Sequence, residues 1–232
     1  MKDQQKVATP RVILTMLFFV VVIPFLPLLI SRQWDWWEAW VYALINILGF
    51  TISRILAARR NPDLIGERAR MLQQEDAKEW DKKLVPLVGL GGGLIPLVVG
   101  LDALIGGTPS FSLPVKMIAL IAILLGYALG SYALIENRFF SGMVRIQMER
   151  GHQVVSSGPY RWIRHPGYAG AMLTYWATPF FLDSPLAFLP VAFLSVVLVI
   201  RTRLEDETLQ IELAGYQEYT QQVRYRLVPR IW

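Results

Sequence analysis

Cysteine is absent from the sequence, and histidine occurs only twice in 232 residues. Without cysteine, the chain has no disulfide framework, no thiolate nucleophile and no cysteine-ligated zinc or iron–sulfur site. Two histidines are too few for the histidine-rich sites that hold many catalytic metal ions, so we expect no metal. Charged residues are also scarce, because they make up 18% of the chain against 54% hydrophobic residues. This composition is typical of an integral membrane protein.

Six apolar runs approach the length of about 20 residues that crosses a bilayer. The first follows Lys2, Lys6 and Arg11, as in a secretory signal, but no small-residue cleavage site follows it, so we interpret it as a span. Asp183-Ser184-Pro185 predicts a tight turn between the last two runs. The sequence therefore predicts an all-α, polytopic membrane helical bundle, with spans at residues 12–30, 36–57, 84–105, 114–135, 168–182 and 186–200.

Basic residues are distributed unevenly over the segments between these runs. With both termini on one side of the membrane, only Arg32 and Lys116 of the 23 lysines and arginines lie on the other side. The positive-inside rule then predicts a multi-pass protein with cytosolic termini. The net charge of +5 is explained by this topology and by contact with anionic lipid, so we expect no nucleic-acid partner.

The stretch "GLGGGLIP", residues 89–96, has the glycine spacing of a nucleotide-binding loop. Such a loop works only between a strand and a helix, where backbone N–H groups meet the ligand. Here the glycines lie inside an apolar run, with no alternation of strands and helices around them. We therefore reject a Rossmann domain and expect close helix packing at Gly89, Gly91 and Gly93.

The stretch "RWIRHPGYAG", residues 161–170, precedes the fifth run. Pro166 suits the first turn of a helix, because its missing N–H would be unpaired there, and His165 then lies at the cap. The helix terminus and the two nearby arginines, Arg161 and Arg164, would attract an anion. Just upstream, Val154-Val155 predicts an extended stretch that ends in a Gly158-Pro159 turn and offers backbone groups to a flat heterocycle. The alternative is an ordinary inner loop whose arginines face lipid.

A second polar cluster, "RTRLEDETL" at residues 201–209, follows the last run. If the helix continues, Arg201 and Glu205 lie on one face, four residues apart. A carboxylate there suits a cationic ligand, and the arginine suits an anionic one. The alternative is a simple i,i+4 ion pair, although arginine before glutamate is the weaker orientation for such a pair.

Together, "HQVVSSGPYRWIRHPGYAG", "RTRLEDETL" and "GYQEYTQQVRYRLVPRIW" resemble the isoprenylcysteine carboxyl methyltransferase family. The related phospholipid N-methyltransferases look similar over the same stretch, which covers about residues 137–232. The resemblance implies S-adenosylmethionine, bound at the cytosolic face by residues 136–232 and released as S-adenosylhomocysteine. Residues 1–135 would then supply the first four spans and an inner loop at 58–83.

The resemblance also implies roles for individual residues. Arg201 would meet the acceptor and serve as the catalytic residue, and Arg164 would be a second acceptor contact. Asp206 stands where the family usually has a second glutamate. The cofactor would be contacted by Gln147, His152, Gln153, Val154, Val155, Tyr160, His165, Pro166, Gly167, Tyr168 and Glu205.

The reaction implied is carboxyl O-methylation of a lipidic, prenylcysteine-like acceptor that enters sideways from the bilayer. Several alternatives remain: methylation of a phospholipid amine or of a small thiol, a nicotinamide-dependent membrane reductase related to the sterol reductases, and a non-catalytic membrane protein. The 58–83 loop is either an amphipathic lid or a solvated linker. In the tail, Tyr216, Tyr219, Val223 and Leu227 recur at helical spacing and are expected to pack at the inner interface.

Overall fold

A computed structural model describes residue 14 and residues 17–106 and 110–232. The first predicted span, at 12–30, is therefore described mainly from residue 17 onwards. Lys2, Lys6 and Arg11, which support the predicted orientation, lie outside the described residues.

The described residues form α-helices joined by short turns and one long irregular connection, without a β-strand. Four segments are long and apolar enough to cross a membrane, namely Trp37–Arg60, Glu79–Ile105, Leu113–Glu136 and Pro185–Glu212. The all-α membrane bundle is thereby confirmed. The helices are α1 (Ile23–Ser31, after a π-helical turn at Phe18–Val22), α2 (Trp37–Arg60), α3 (Pro62–Ala69), α4 (Glu79–Ile105), α5 (Leu113–Glu136), α6 (Pro166–Phe181), α7 (Phe188–Glu212) and α8 (Tyr216–Gln222).

Two helices extend beyond their apolar runs at the end where the predicted inner segments lie. Helix α4 begins at Glu79 rather than at residue 84, and α7 continues to Glu212 rather than ending at residue 200. Acidic residues in a first helical turn are favourable because the helix dipole is positive there, so polar sequence does not delay the start of α4. These extensions place Asp81 and Arg201 on helices beside each other.

Helices α5 and α6 form the most extensive helix pair of the bundle, through small residues. A Cβ atom added to Gly170 would lie 2.5 Å from the carbonyl oxygen of Gly126, and one added to Gly126 would lie 2.3 Å from Oγ1 of Thr174. The backbones therefore approach each other closely, as small residues permit in membranes.

The predicted packing role of the 89–96 glycines is confirmed at one position. A Cβ atom on Gly91 would lie 3.0 Å from Cβ of Leu194 in α7. The same atom on Gly89 would meet nothing within 4 Å, and on Gly93 only the tip of Ile23 at 3.9 Å. Gly91 is therefore the glycine that lets α4 approach α7.

The predicted turn between the last two spans is confirmed, and buried polar contacts surround it. Asp183 has a positive φ of 52°, and Pro185–Ala187 form a 3₁₀ turn before α7. The Asp102 carboxylate accepts a hydrogen bond from the Ser184 hydroxyl at 2.7 Å. This contact accounts for an acidic side chain inside an apolar run.

The 58–83 loop is not a plain solvated linker. It contains α3, and buried Glu67 of that helix accepts a hydrogen bond from Arg145 Nε at 3.0 Å. Asp76, in the same loop, pairs with Arg145 Nη1. The loop is therefore packed against the irregular connection between α5 and α6, which runs over residues 137–165.

Candidate active site

A cavity of about 800 Å³ opens at the end of the bundle where α6 begins and α7 leaves its apolar segment. The connection between α5 and α6 forms one wall, and the start of α6 with the polar end of α7 forms another. Pro166 begins α6 and His165 is its N-cap, as predicted from the sequence. The residues singled out from the sequence that line this cavity are His152, Gln153, Val154, Val155, Tyr160, Arg164, His165, Gly167, Tyr168, Arg201 and Glu205.

Arg201 is held at the cavity wall by an ion pair with Asp81 of α4. Its Nε donates to Oδ1 of Asp81 at 2.7 Å and its Nη2 donates to Oδ2 at 2.9 Å, in the bidentate geometry that suits arginine. Nη2 also donates to the carbonyl of Gly142 at 2.9 Å. Its Nη1 makes no hydrogen bond among the described residues, so one edge of the guanidinium stays free for a ligand.

Glu205 lies one turn further along α7 and lines the same cavity. Its Oε2 accepts a hydrogen bond from the Tyr168 hydroxyl at 2.6 Å. It forms no ion pair within the described residues, so Arg201 and Glu205 are not each other's partner. The alternative of an i,i+4 pair is thus wrong, and the carboxylate keeps acceptor capacity for a ligand.

Asp206, the departure from the family pattern, is fully buried at the centre of a polar cluster. It receives both Nε and Nη2 of Arg164, at 2.7 and 2.8 Å, and Nε of Arg226 at 2.8 Å. The Tyr216 hydroxyl donates to it at 3.0 Å, and His165 Nε2 lies 3.2 Å away. The cluster joins α6, α7 and the C-terminal segment behind the cavity.

In this cluster, all three guanidinium nitrogens of Arg164 are bonded within the chain, and its contact with the acceptor stays a prediction. Besides the two bonds to Asp206, its Nη1 donates to the carbonyls of Val223 and Arg224 at 2.8 and 2.9 Å. The Arg164 charge is neutralised by a buried carboxylate, so the side chain positions the cavity wall. Arg161 is exposed, away from the cluster.

His152 is neutral at neutral pH. Burial and the neighbouring charges of Arg145 and Arg150 lower its pKa from 6.5 to about 4. Its Nδ1 accepts the backbone N–H of Gln147 at 3.3 Å, which places the ring proton on Nε2. The ring packs on Phe139, with the two centroids 4.5 Å apart.

The stretch after His152 is neither helix nor strand, and it ends in a 3₁₀ turn at Gly158–Arg161, which confirms the predicted Gly158-Pro159 turn. The backbone groups of Gln153, Val154 and Val155 make no hydrogen bond with any other described residue. Since unpaired backbone groups at a cavity wall need a partner, this stretch offers donors and acceptors to a bound molecule.

Two predicted cofactor contacts do not line the cavity. Gln147 is fully buried behind Phe139, where its Nε2 donates to the Phe139 carbonyl at 2.8 Å and its Oε1 accepts from Arg150. Both ends of the amide are therefore engaged within the chain. Pro166 is buried in the first turn of α6, where it sets the start of the helix.

Three contributors to the site were not found from the sequence. The sequence places Asp81 in the loop before the third apolar run. A single acidic residue there does not indicate a partner 120 residues away in the sequence. Tyr216 and Tyr219 line the cavity instead of only packing at the interface. The sequence offered one indication of this role: the two tyrosines carry hydroxyl groups on a helix face whose other residues are apolar.

A second cavity, of about 980 Å³, lies inside the apolar part of the bundle. It is lined by side chains of α1, α2, α5 and α6, and by the π-helical turn before α1. Phe140 and Gly167 line both cavities. A Cβ atom added to Gly167 would lie 2.7 Å from the Phe140 ring, so these two residues form a thin partition.

Comparison with known proteins identifies similar chains, each over less than half of this chain. The chain is 33% identical over 95 residues to the Delta(14)-sterol reductase TM7SF2 of Mus musculus, covering 40% of this chain and 23% of the reductase. It is 30% identical over 90 residues to the Delta(14)-sterol reductase erg24 of Schizosaccharomyces pombe, covering 38% of this chain and 21% of the reductase.

A third relative is a probable protein-S-isoprenylcysteine O-methyltransferase of Oryza sativa subsp. indica, 31% identical over 74 residues. This match covers 32% of the present chain and 39% of the rice protein. The chain therefore spans well under half the length of these curated relatives.

Residues 117–211 match the family model of isoprenylcysteine carboxyl methyltransferases. The match runs from α5 through α6 to the polar end of α7, so it contains the stretch after His152, together with His165, Arg201 and Glu205. Over residues 117–211, the chain is therefore similar to the isoprenylcysteine carboxyl methyltransferase (ICMT) family.

Proposed function

We propose that the protein is an S-adenosylmethionine-dependent integral membrane methyltransferase that methylates the carboxylate of a lipidic, prenylcysteine-like acceptor. The match of residues 117–211 to the family model and the name of the rice relative support a membrane methyltransferase. The observation that carries the proposal is a carboxylate and a guanidinium edge that both have free bonding capacity in one cavity. Glu205 is a carboxylate without an ionic partner among the described residues, and Arg201 turns one free guanidinium edge to the same space.

The cavity fits the chemical groups of the cofactor. S-adenosylmethionine carries two cationic groups, a sulfonium and an ammonium, and either can be attracted by the carboxylate of Glu205. The ribose hydroxyls can donate hydrogen bonds to the same oxygens. Its flat adenine suits the unpaired backbone groups of Gln153, Val154 and Val155. We infer that these residues hold it, together with Tyr160, His165, Gly167 and Tyr168 on the facing walls.

When bound, S-adenosylmethionine supplies a sulfonium methyl group, which a carboxylate oxygen accepts as the carbon–sulfur bond electrons return to sulfur. An acceptor carboxylate is already ionised at neutral pH, so the chain needs no general base. Arg201, itself fixed by Asp81, would orient the carboxylate through Nη1. Holding two reactants in alignment supplies most of the acceleration in such a reaction.

The two cavities fit two reactants of different polarity. The first opens at the polar end of the bundle, where a water-soluble cofactor enters, and the second lies among the apolar helices, where the tail of an amphiphile is stable. We propose that residues 136–232 form most of the methyltransferase region and that residues 1–135 contribute spans and part of the acceptor chamber. The cytosolic placement of both termini stays a prediction.

The test combines cofactor binding with product analysis. Calorimetry with the purified protein should detect S-adenosylhomocysteine, and membranes incubated with methyl-labelled cofactor should form a base-labile methyl ester. Glu205→Gln should weaken binding of S-adenosylhomocysteine about tenfold, as expected for loss of a charged hydrogen-bond partner. Glu207→Gln is the matched control, because Glu207 is exposed and paired with Arg203. Label in phospholipid or in a volatile thioether would instead identify an amine or thiol acceptor.

A second candidate is a nicotinamide-dependent membrane reductase. It is favoured by one observation, the similarity of this chain to two sterol reductases over 90 to 95 residues. The same calorimetry separates the two candidates. Binding of NADPH without binding of S-adenosylhomocysteine at millimolar concentration would support the reductase, and the reverse would support the methyltransferase.

A further inference from the structure

Arg54 lies on α2, inside the apolar part of the bundle. It precedes the helix end at Arg60 by six residues, which corresponds to about 9 Å along the axis. Its side chain lines the second cavity together with Ser53, whose hydroxyl lies 3.4 Å from Nη1 of Arg54. A charged side chain at this depth is costly, so it is expected to have a partner or a function.

The side chain does not extend toward the end of the helix. Its guanidinium carbon lies 4.6 Å from the centroid of Phe50, one turn toward the middle of α2. Arginines that only anchor a span extend in the other direction, to reach the headgroups. Arg59 and Arg60 are exposed at the helix end, and Arg60 pairs there with Glu136 at 3.0 Å.

Within the described residues, Arg54 forms no ion pair. A second arginine lies close to it: burial and the like charges of Arg54 and Arg201 lower the pKa of Arg68 from 12.5 to about 9. Arg68 is bound to the partition, since its Nη1 donates to the carbonyls of Phe140 and Ser141, both at 3.2 Å. Two arginines that form no ion pair within the described residues therefore lie near Phe140, and Arg54 is the one that lines the second cavity.

We propose that Arg54 binds the carboxylate of the acceptor in the second cavity, on the membrane side of the partition formed by Phe140 and Gly167. The charge of Arg54 attracts an anion, and the apolar walls hold the attached chain. An acceptor seated in this way is held before the reaction, and its carboxylate must pass Phe140 and Gly167 to reach Arg201, which orients it for methyl transfer. This inference rests on the proposed function, because it assigns a binding residue to the acceptor of that reaction.

The test compares a charged and a neutral ligand in lipid nanodiscs made of zwitterionic phospholipid. The probes are S-farnesylated N-acetylcysteine, which has a single carboxylate, and its carboxamide. Arg54→Gln should weaken binding of the carboxylate at least tenfold, or about 1.4 kcal/mol, and leave binding of the carboxamide unchanged. Arg59→Gln, an exposed arginine on the same helix, is the matched control and should alter neither. Retained binding of S-adenosylhomocysteine shows that the Arg54→Gln protein is folded.

Several results would overturn the assignment. Equal binding of the carboxylate and the carboxamide to the wild-type protein would show that Arg54 does not contact the acceptor anion. An equal loss of binding of both ligands in Arg54→Gln would show the same. If anionic phospholipid competes with the carboxylate probe in the wild-type protein but not in Arg54→Gln, the cavity binds a lipid phosphate instead. Failure of the proposed function is seen separately, as a wild-type protein that neither binds S-adenosylhomocysteine nor forms a methyl ester.

Discussion

The ion pair between Asp81 and Arg201 connects two helices at the cavity wall, and removal of either partner should be strongly destabilising. The exposed fraction of the side chain is 0% for Asp81 and 9% for Arg201. Asp81 also accepts the backbone N–H of Val144 at 2.7 Å. Asp81→Asn would therefore leave the Arg201 charge buried without a counter-charge, which typically costs about 3–5 kcal/mol.

A double-mutant cycle separates this pair from its surroundings. Asp81→Asn and Arg201→Gln should each lower the free energy of unfolding by about 3 kcal/mol, because each leaves one buried charge unpaired. The double variant buries no charge, so it should lose about 2 kcal/mol less than the sum of the single variants. The assay is reversible unfolding in mixed micelles, followed by tryptophan fluorescence.

The exposed pair of Arg203 and Glu207 on the same helix is the internal control. Its side chains are 68% and 43% exposed, and its atoms are 2.8 Å apart. Since exposed i,i+4 pairs contribute about 0.3–0.5 kcal/mol, breaking it should have almost no effect. Additive losses at Asp81 and Arg201, or equal losses at both pairs, would refute the reasoning from burial.

Three further changes test other parts of the structure. Gly170→Val should separate α5 from α6 and lower the unfolding temperature in detergent, whereas Gly89→Val, which meets no neighbour within 4 Å, should not. The pKa of His152 is lowered to about 4 in the folded state, so the unfolded state binds more protons below pH 6.5 and stability falls as the pH falls through that window. Between pH 7 and 4.5, the free energy of unfolding of His152→Gln should therefore fall by about 1–2 kcal/mol less than that of the wild-type protein, allowing for solvent screening. Identical pH profiles of the two proteins in chemical unfolding would refute this. Tyr168→Phe removes the 2.6 Å hydrogen bond that positions the Glu205 carboxylate, so binding of S-adenosylhomocysteine should weaken several-fold by calorimetry; unchanged affinity would refute this.

The apolar segments were predictable because a bilayer imposes a length of about 20 residues on a helix. The ends of α4 and α7 were not predictable in the same way. Glu79–Lys83 and Arg201–Glu212 are too polar to be counted in an apolar run, so a hydrophobicity window ends before them although the helices continue. Pro166 and the Gly158 turn were correctly placed because each constrains its own backbone, whatever the rest of the chain does.

The function of individual arginines was decided by their partners. Arg164 and Arg201 each stand beside an apolar run and look alike in the sequence, and each pairs with a buried aspartate. All three guanidinium nitrogens of Arg164 are bonded, however, whereas Nη1 of Arg201 makes no hydrogen bond among the described residues. Arg54 drew no attention among the many inner basic residues. Its direction along α2 and its place in the second cavity exist only in the folded bundle.

By itself, the sequence determined that the chain is a helical membrane bundle and that His165, Arg201 and Glu205 are candidates for one site. Both conclusions depend on local properties, namely the hydrophobicity of a window and the spacing of a motif. Only the tertiary structure decided that Asp81 fixes Arg201, that Glu205 has no ionic partner within the described residues and that two cavities meet at Phe140. Each of these depends on contacts between distant segments, because the strength of a charge inside a protein is set by what lies beside it in space.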